Sequence, residues 1–228
     1  MGKAQVIKSR TPTLYIDFQG TLVGEYDSKS DLDSRTAKKV GFELGKALGE
    51  KIGLYADAKA SLLLKREESA VQADAARLIR DAKQNDWNVV VWTSELPKPV
   101  LAVLQRDGVA NYVDRIATPH REYVLENGQL QMPKLRFEGE NLSKSSIIAR
   151  AEVKPSIVIG DSLVDLVAVH KAKAEKELVF FKLTRHPEAP AQDFRDVVRY
   201  YGIGFNVYEV TSLDKVDRRM FTQLTIRR

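Results

Sequence analysis

The stretch that decides the fold is residues 14–22, which read LYIDFQGTL. An apolar run over 14–16 follows Pro12 and passes through Asp17 into a turn at Gly20. Apolar and β-branched residues bounded by turn formers predict a buried strand. An acidic residue at the end of such a strand presents its carboxylate and the following backbone amides to one point.

Three further runs along the chain have the same character, and they cover residues 88–92, 156–159 and 178–181. Amphipathic helical stretches separate these runs. Such alternation predicts an α/β fold with a Rossmann-like parallel sheet covered by helices. In an open sheet of this kind, the ligand crevice lies at the carboxyl ends of the strands.

More than sixty residues separate the first two predicted strands, which is more than one crossover helix needs. Apolar spacing predicts helices over 34–51 and 56–66. A third helix, capped by Ser69, would carry a core-facing stripe, formed by Val71, Ala75, Leu78, Ile79 and Ala82. We therefore predict a core domain over 1–23 and 69–228 with a small helical insert over 24–68.

Composition and charge narrow the class of protein. The 228 residues are 43% hydrophobic and include no cysteine, which is typical of globular proteins and excludes a thiol nucleophile. The sequence has neither a long apolar run nor a secretory signal, so we expect a cytoplasmic protein without membrane contact. Residues 215–228 hold five basic side chains and one acidic one. We interpret this stretch as a solvated tail, and a nucleic-acid partner is disfavoured.

Polar residues follow three of the predicted strands. Thr93 and Ser94 follow the second strand. Asp161 and Asp165 follow the third strand, four residues apart and close enough to share a hard cation such as Mg²⁺. Between these strands, Lys144 opens a predicted helix that ends at about residue 150.

In this order, the residues resemble the four motifs of the haloacid dehalogenase (HAD) superfamily of aspartate-nucleophile phosphohydrolases. DFQGTL resembles the first motif, VVVWTS the second and GDSLVD the fourth, while Lys144 fits the third. The resemblance covers roughly residues 13–182, and the end of the chain resembles the phosphoserine-phosphatase-like branch. It implies an HAD core with a small helical cap inserted after the first motif.

The resemblance also implies a role for each site residue. Asp17 would be the nucleophile that forms an aspartyl-phosphate. The metal would be Mg²⁺, and its ligands would be Asp17, the backbone carbonyl of Gln19, Asp161 and Asp165. The phosphate would be bound by Phe18, Gln19, Thr93, Ser94 and Lys144.

Each assignment has a structural alternative. Asp17 could cap the turn that follows it, Thr93 could cap the next segment, and Asp165 could cap only its own helix. Lys134 or Lys154 could take the place of Lys144, and Ser94 that of Thr93. The histidines share no motif, and we interpret them as structural or surface residues: His120, His170 and His186.

Gln19 departs from the pattern of the family's phosphatases, in which this position is an aspartate that protonates the leaving group and then activates water. A carboxamide cannot exchange a proton near neutral pH. Losing such a group lowers the rate by a factor on the order of 10²–10⁴. The metal contact would survive, because it comes from the backbone.

Three functions stay open. The first is a slow or specialised Mg²⁺-dependent phosphatase acting on a small phosphorylated metabolite, since a helical cap favours small substrates. The second is a phosphate-ester-binding pseudo-phosphatase or scaffold, and the third is a phosphotransferase. Acids of the insert could supply the missing proton, and the candidates are Glu25, Asp27, Asp31 and Asp33. The sequence does not indicate an oligomeric state.

Overall fold

A computed structural model describes residues 11–24, 57, 59–61, 63–65, 67–118, 121–131, 144–151, 155–172, 178–185 and 194–216. These residues form an eight-stranded sheet. Its strands are β1 (Thr13–Asp17), β2 (Asn88–Trp92), β3 (Arg115–Ala117), β4 (Glu122–Glu126), β5 (Gln129–Leu130), β6 (Ile157–Gly160), β7 (Val179–Leu183) and β8 (Asn206–Val210). Their spatial order is β5-β4-β3-β2-β1-β6-β7-β8.

Strand β1 lies in the middle of the sheet and pairs in parallel with β2 and β6. Asp17 lies beside Trp92, and Ile16 lies beside Ile159. The chain therefore leaves β1, β2 and β6 at the same edge of the sheet. The connections run to opposite sides of β1, which is where open α/β sheets form their ligand crevice.

Helices cover both faces of the sheet. The helices are α1 (Ala73–Gln84), α2 (Pro97–Arg106), α3 (Lys144–Ala149), α4 (Leu163–Lys171) and α5 (Phe194–Tyr201). Leu14 and Ile16 pack in the apolar layer that contains α1 and α2, whereas Tyr15 packs in the layer that contains α3 and α4. Burial on both faces explains why residues 14–16 of β1 form a continuous apolar run instead of alternating.

The predicted α/β class with a mostly parallel sheet is confirmed. The four predicted strands are β1, β2, β6 and β7, with ends within two residues of the prediction. The remaining strands, β3, β4, β5 and β8, were not predicted. β3 and β5 have only three and two residues, β4 (EYVLE) begins and ends with glutamate, and β8 (NVYEV) has Glu209 between Tyr208 and Val210, so none of these forms a long apolar run.

The prediction that Ser69 caps the helix before β2 is wrong. Helix α1 begins at Ala73 with Gln72 at its N-cap, and the Ser69 hydroxyl donates to the Leu63 carbonyl instead. The predicted core stripe is buried at Ala75, Leu78, Ile79 and Ala82. Its first member, Val71, precedes the helix and forms an isolated β-bridge with Val23.

Much of the predicted insert lies outside the described residues, including the predicted helix over 34–51. Of the predicted helix over 56–66, residues 57, 59–61 and 63 are described with helical backbone. Leu63 is buried in the apolar layer of α1 and α2, so this end of the insert is anchored on the core. The insert boundaries at 24 and 68 stay a prediction. Within the described segments, every helix is too short or too polar to cross a membrane.

An ion pair between the half-buried Arg185 and the buried Asp74 connects the end of β7 to the start of α1. The Arg185 guanidinium donates to both carboxylate oxygens of Asp74, at 2.8 and 2.9 Å, and to the Thr21 carbonyl at 3.2 Å. Asp74 also accepts from the Ser212 hydroxyl and the Leu213 amide. Burial alone raises the pKa of Asp74, but the hydrogen bonds from Arg185, Leu213 and Ser212 outweigh it and lower the pKa to about 2.

We expect Asp74→Asn to lower the free energy of unfolding by about 2 kcal/mol at pH 7, because the charge-assisted bonds are lost. The folded-state pKa of about 2 lies below the unfolded value of about 3.9. The contribution of Asp74 is therefore complete above about pH 5 and is lost as the pH falls toward 2. Urea unfolding of both proteins between pH 7 and pH 3 measures this difference.

The matched control is Asp214→Asn. Asp214 pairs with Arg77, which lies in the same helix as Asp74, and the side chains of Asp214 and Arg77 are about half exposed. We expect this control to change the free energy of unfolding by less than about 0.5 kcal/mol. Equal losses in the two variants, or a loss at Asp74 that does not shrink at low pH, would contradict the assignment.

Candidate active site

Three carboxylates meet at the sheet edge where β1 and β6 end. Asp17 is the last residue of β1, Asp161 follows β6, and Asp165 lies in the first turn of α4. Each offers one carboxylate oxygen, and these oxygens lie within 4.8 Å of one another. Asp17 and Asp165 are buried, while Asp161 is half-buried.

Lys144 lies between two of these carboxylates. It is the first residue of α3, and its Nζ is 2.8 Å from Asp17 Oδ1 and 2.5 Å from Asp165 Oδ1. Burial lowers the pKa of the ammonium, but the charges of Asp17 and Asp165 outweigh burial and raise it. Lys144 is thus a half-buried cation beside Asp17. The two alternative lysines, Lys134 and Lys154, lie outside the described residues.

The Asp17 carboxyl is in an environment that disfavours its charge. Burial first and the negative charge of Asp165 second raise the pKa of Asp17 well above its ordinary value, although Lys144 acts in the opposite direction. The described residues of this cluster thus include three carboxylates and one ammonium, which contacts Asp17 and Asp165. A divalent cation would relieve the excess negative charge. Carboxylate oxygens are the hard donors that Mg²⁺ prefers, so the residues present fit this metal.

The turn after Asp17 requires glycine for two reasons. Gly20 has a φ of +75°, a conformation that costs other residues strain. A Cβ at Gly20 would also lie 2.1 Å from Asp161 Oδ2. Gly20 therefore allows the Asp161 carboxylate to approach the turn that carries Gln19. Gln19 itself is half-buried, with an extended backbone.

Thr93 lies directly beyond Trp92, the β2 neighbour of Asp17, and is buried. Its Oγ1 accepts a hydrogen bond from the Glu95 amide at 3.0 Å. Accepting this bond leaves the hydroxyl proton able to donate to another group. Helix α2 begins at Pro97 with Leu96 at its N-cap, so Thr93 does not cap this helix, but its bond with the Glu95 amide caps the segment that follows β2. Ser94 is exposed.

Asp165 has two contacts, one for each oxygen. Its Oδ2 accepts from the Ser162 amide at 3.3 Å, and the Ser162 hydroxyl accepts from the Asp165 amide at 3.2 Å, which forms a capping box at the start of α4. Its Oδ1 contacts Lys144. The alternative that Asp165 only caps its helix is therefore wrong. The capping box fixes the carboxylate that orients Lys144.

Two contacts at this edge were missed from the sequence. The Lys144 ammonium lies over the Trp92 ring, 4.6 Å from its centre. Lys59 of the insert forms an ion pair of 2.7 Å with Glu95, and both side chains are nearly buried. Trp92 was visible as a strand residue and Glu95 as a neighbour of Thr93. Their partners are distant in sequence, so no local pattern indicated these contacts.

Of the remaining predicted residues, some are described by the structure and others are not. Phe18 is buried, and its carbonyl accepts from the Val23 amide. His170 packs edge-on against Tyr201, in agreement with a structural role. Several candidates lie outside the described residues, namely Glu25, Asp27, Asp31, Asp33, His120 and His186.

Comparison with solved structures identifies the fold. An HAD hydrolase of family IA, variant 3, from Entamoeba histolytica superposes with a TM-score of 0.52 and 15% sequence identity, and the match covers 94% of this chain and 99% of that one. A phosphoserine phosphohydrolase-like protein from Francisella tularensis gives a TM-score of 0.50 at 15% identity, with coverage of 90% and 97%. The sequence matches no protein-family model and no curated protein. The chain thus has the fold of HAD-superfamily hydrolases, and the resemblance stated from the motifs is confirmed at the level of the fold.

We expect Gly20→Ala to weaken Mg²⁺ binding about tenfold, because the added methyl group displaces Asp161. Gly108→Ala is the matched control, since Gly108 has a φ of +67° and an added Cβ there meets nothing within 4 Å. The control should lose about 1 kcal/mol of stability from backbone strain alone and keep its affinity for Mg²⁺. Calorimetric titration with Mg²⁺ and urea unfolding measure the two quantities. Equal Mg²⁺ affinity in both variants would contradict the placement of Asp161 in a metal site.

Proposed function

We propose that this protein is an Mg²⁺-dependent HAD-type hydrolase that acts on a small phosphomonoester through an aspartyl-phosphate. One observation carries the proposal. The buried Asp17 carboxylate lies 2.8 Å from the Lys144 ammonium and within 4.8 Å of the carboxylates of Asp161 and Asp165. A nucleophile beside a half-buried cation and a set of metal ligands suits attack on a phosphoryl group. The fold shared with the Entamoeba histolytica hydrolase supports the same class.

In the proposed first step, a carboxylate oxygen of Asp17 forms a bond to phosphorus while the ester P–O bond breaks. The electron pair of that bond leaves with the ester oxygen. Lys144 holds Asp17 in position and offers its ammonium to a phosphoryl oxygen. The free hydroxyl proton of Thr93 donates to another phosphoryl oxygen. The amides around Phe18 and Gln19 and the exposed Ser94 would complete the phosphate site.

In the second step, water attacks the aspartyl-phosphate at phosphorus, releases inorganic phosphate and regenerates the Asp17 carboxylate. The metal would be held by Asp17, the Gln19 carbonyl and Asp161, with Asp165 as a direct or indirect ligand. When bound, Mg²⁺ would neutralise charge between the nucleophile and the phosphoryl group. Both oxygens of Asp165 already contact Ser162 or Lys144, which favours the indirect role.

Gln19 sets the rate in this proposal. Its carboxamide cannot protonate the leaving group in the first step or deprotonate water in the second. We therefore propose slow turnover and a preference for substrates whose leaving group needs no proton. The same residue favours a second candidate function, a protein that binds a phosphate ester with little turnover. A long-lived aspartyl-phosphate that passes its phosphoryl group to another acceptor would make the chain a phosphotransferase.

The insert supports a small substrate. Lys59 of the insert is nearly buried against Glu95, two residues beyond Thr93, so the insert contacts the loop that borders the phosphate site. If the insert acts as the cap that the motifs imply, it would exclude bulk water and large substrates. We propose a small phosphorylated metabolite as the substrate and the cytoplasm as the place of action.

The test is Mg²⁺-dependent release of phosphate from a panel of small phosphomonoesters. We expect Asp17→Asn to abolish release, because the carboxamide is a poor nucleophile. We expect Gln19→Asp to raise kcat about 100-fold, because it restores proton transfer. Asp214→Asn, which removes an exposed carboxylate in an ion pair with Arg77, should leave kcat unchanged. Chelation with EDTA should remove the activity, and Mg²⁺ should restore it.

The other outcomes separate the candidates. Mg²⁺-dependent binding of phosphate esters without turnover would support the binding protein. Stable phosphorylation of Asp17 that is lost on addition of an acceptor alcohol would support the phosphotransferase. Phosphate release that survives Asp17→Asn would contradict the aspartyl-phosphate mechanism.

A further inference from the structure

We propose that Trp92 is a positioning residue for Lys144, and that its indole face holds the ammonium in place while the charge on Asp17 changes during the reaction. The inference rests on the proposed function. It assigns to a strand residue a role that neither the motifs nor the metal site requires.

The contact is geometrically favourable. Lys144 Nζ lies 4.6 Å from the centre of the Trp92 ring, inside the roughly 6 Å range of cation–π attraction, which is strongest for tryptophan. Trp92 is fully buried, and its strand position is fixed by pairing with Asp17. The ring therefore lies beside the nucleophile on a rigid element. The Lys144 side chain is only 17% exposed, so water competes little for the ammonium and the attraction is stronger than at a fully exposed site.

The reaction explains why a neutral partner is useful. Lys144 has two charged partners, Asp17 and Asp165. When Asp17 becomes bonded to phosphorus, it loses its negative charge, and the ammonium must turn to the phosphoryl oxygens. The Trp92 face does not change during this step. It attracts the ammonium without adding a negative charge that would compete with the substrate phosphate.

A purely structural role for Trp92 is the alternative, since the ring also belongs to the apolar layer of α3 and α4. Trp87 provides the comparison. It is equally buried but lies in the apolar layer of α1 and α2, on the other side of the sheet. Trp87→Phe changes the core on that other side and should leave the position of Lys144 unchanged.

The experiment replaces Trp92 by mono-, di- and trifluorinated tryptophan in a Trp87→Phe protein. Each fluorine withdraws electron density from the ring face with little change in shape, so packing is kept while attraction to the ammonium weakens. With Mg²⁺ and p-nitrophenyl phosphate, we expect kcat to fall stepwise, by about tenfold across the series, while the urea midpoint stays constant. A kcat that is the same throughout the series would overturn the proposal.

Two further measurements do not depend on turnover. The affinity of the protein for inorganic phosphate, measured with Mg²⁺ present, should fall along the fluorinated Trp92 series. If the protein shows no turnover, a constant phosphate affinity along the series would overturn the proposal. Lys144→Met in the Trp87→Phe protein should shift the Trp92 emission maximum. Lys83→Met, which removes a lysine paired with Asp114, should not shift it. If Lys144→Met leaves the Trp92 emission maximum unchanged, the contact between Lys144 and the Trp92 ring is overturned.

These results also distinguish the two proposals. Phosphate release that survives Asp17→Asn, together with a stepwise fall in phosphate affinity and a shifted emission, would contradict the aspartyl-phosphate mechanism and support the Trp92 contact. Loss of activity in Asp17→Asn with a flat fluorine series would support the hydrolase and overturn the role of Trp92.

Discussion

The arrangement at the sheet edge depends on one electrostatic constraint: two buried carboxylates, Asp17 and Asp165, share the half-buried ammonium of Lys144. Charges removed from water are costly unless they are paired and hydrogen-bonded. The fold meets this requirement with elements far apart in sequence. Helix α3 begins at Lys144, and the capping box of α4 fixes Asp165 through Ser162. The pairing leaves excess negative charge, which is the condition that favours a bound divalent cation.

The position of Asp17 at this edge is also stabilised by the pairing of β1 in the sheet and by the hydrogen bonds of Arg185. Strand β1 carries Asp17 between two parallel neighbours, so its end cannot shift without breaking both ladders. Arg185 binds Asp74 and the Thr21 carbonyl, which joins the turn after Asp17 to helix α1 and to the end of β7. Catalytic groups need positions held by rigid surroundings. In this chain the residues that stabilise the fold also hold the nucleophile turn, so stability and site geometry are coupled.

Gln19 separates two requirements of phosphoryl chemistry that usually occur together. The groups that hold charge, Asp17, Lys144 and Asp161, are present and assembled. In the proposed mechanism, the position that would move a proton is occupied by the carboxamide of Gln19. Positioning and electrostatic stabilisation depend on fixed charges, whereas general acid–base catalysis depends on a titrating group. A site of this kind can bind and orient a phosphate ester while exchanging protons poorly, which is the physical reason for proposing slow turnover.

The sequence by itself determined the α/β class, the central strands and the position of Asp17 and Asp161 at strand ends, because the central strands are buried on both faces and read as apolar runs. It indicated Lys144 but left Lys134 and Lys154 open. Tertiary structure alone decided that the ammonium of Lys144 lies between Asp17 and Asp165 and over Trp92. It also decided that α1 starts at Ala73 and not after Ser69. Such contacts join residues that are distant along the chain, whereas periodicity and turn signals report only on neighbours in sequence.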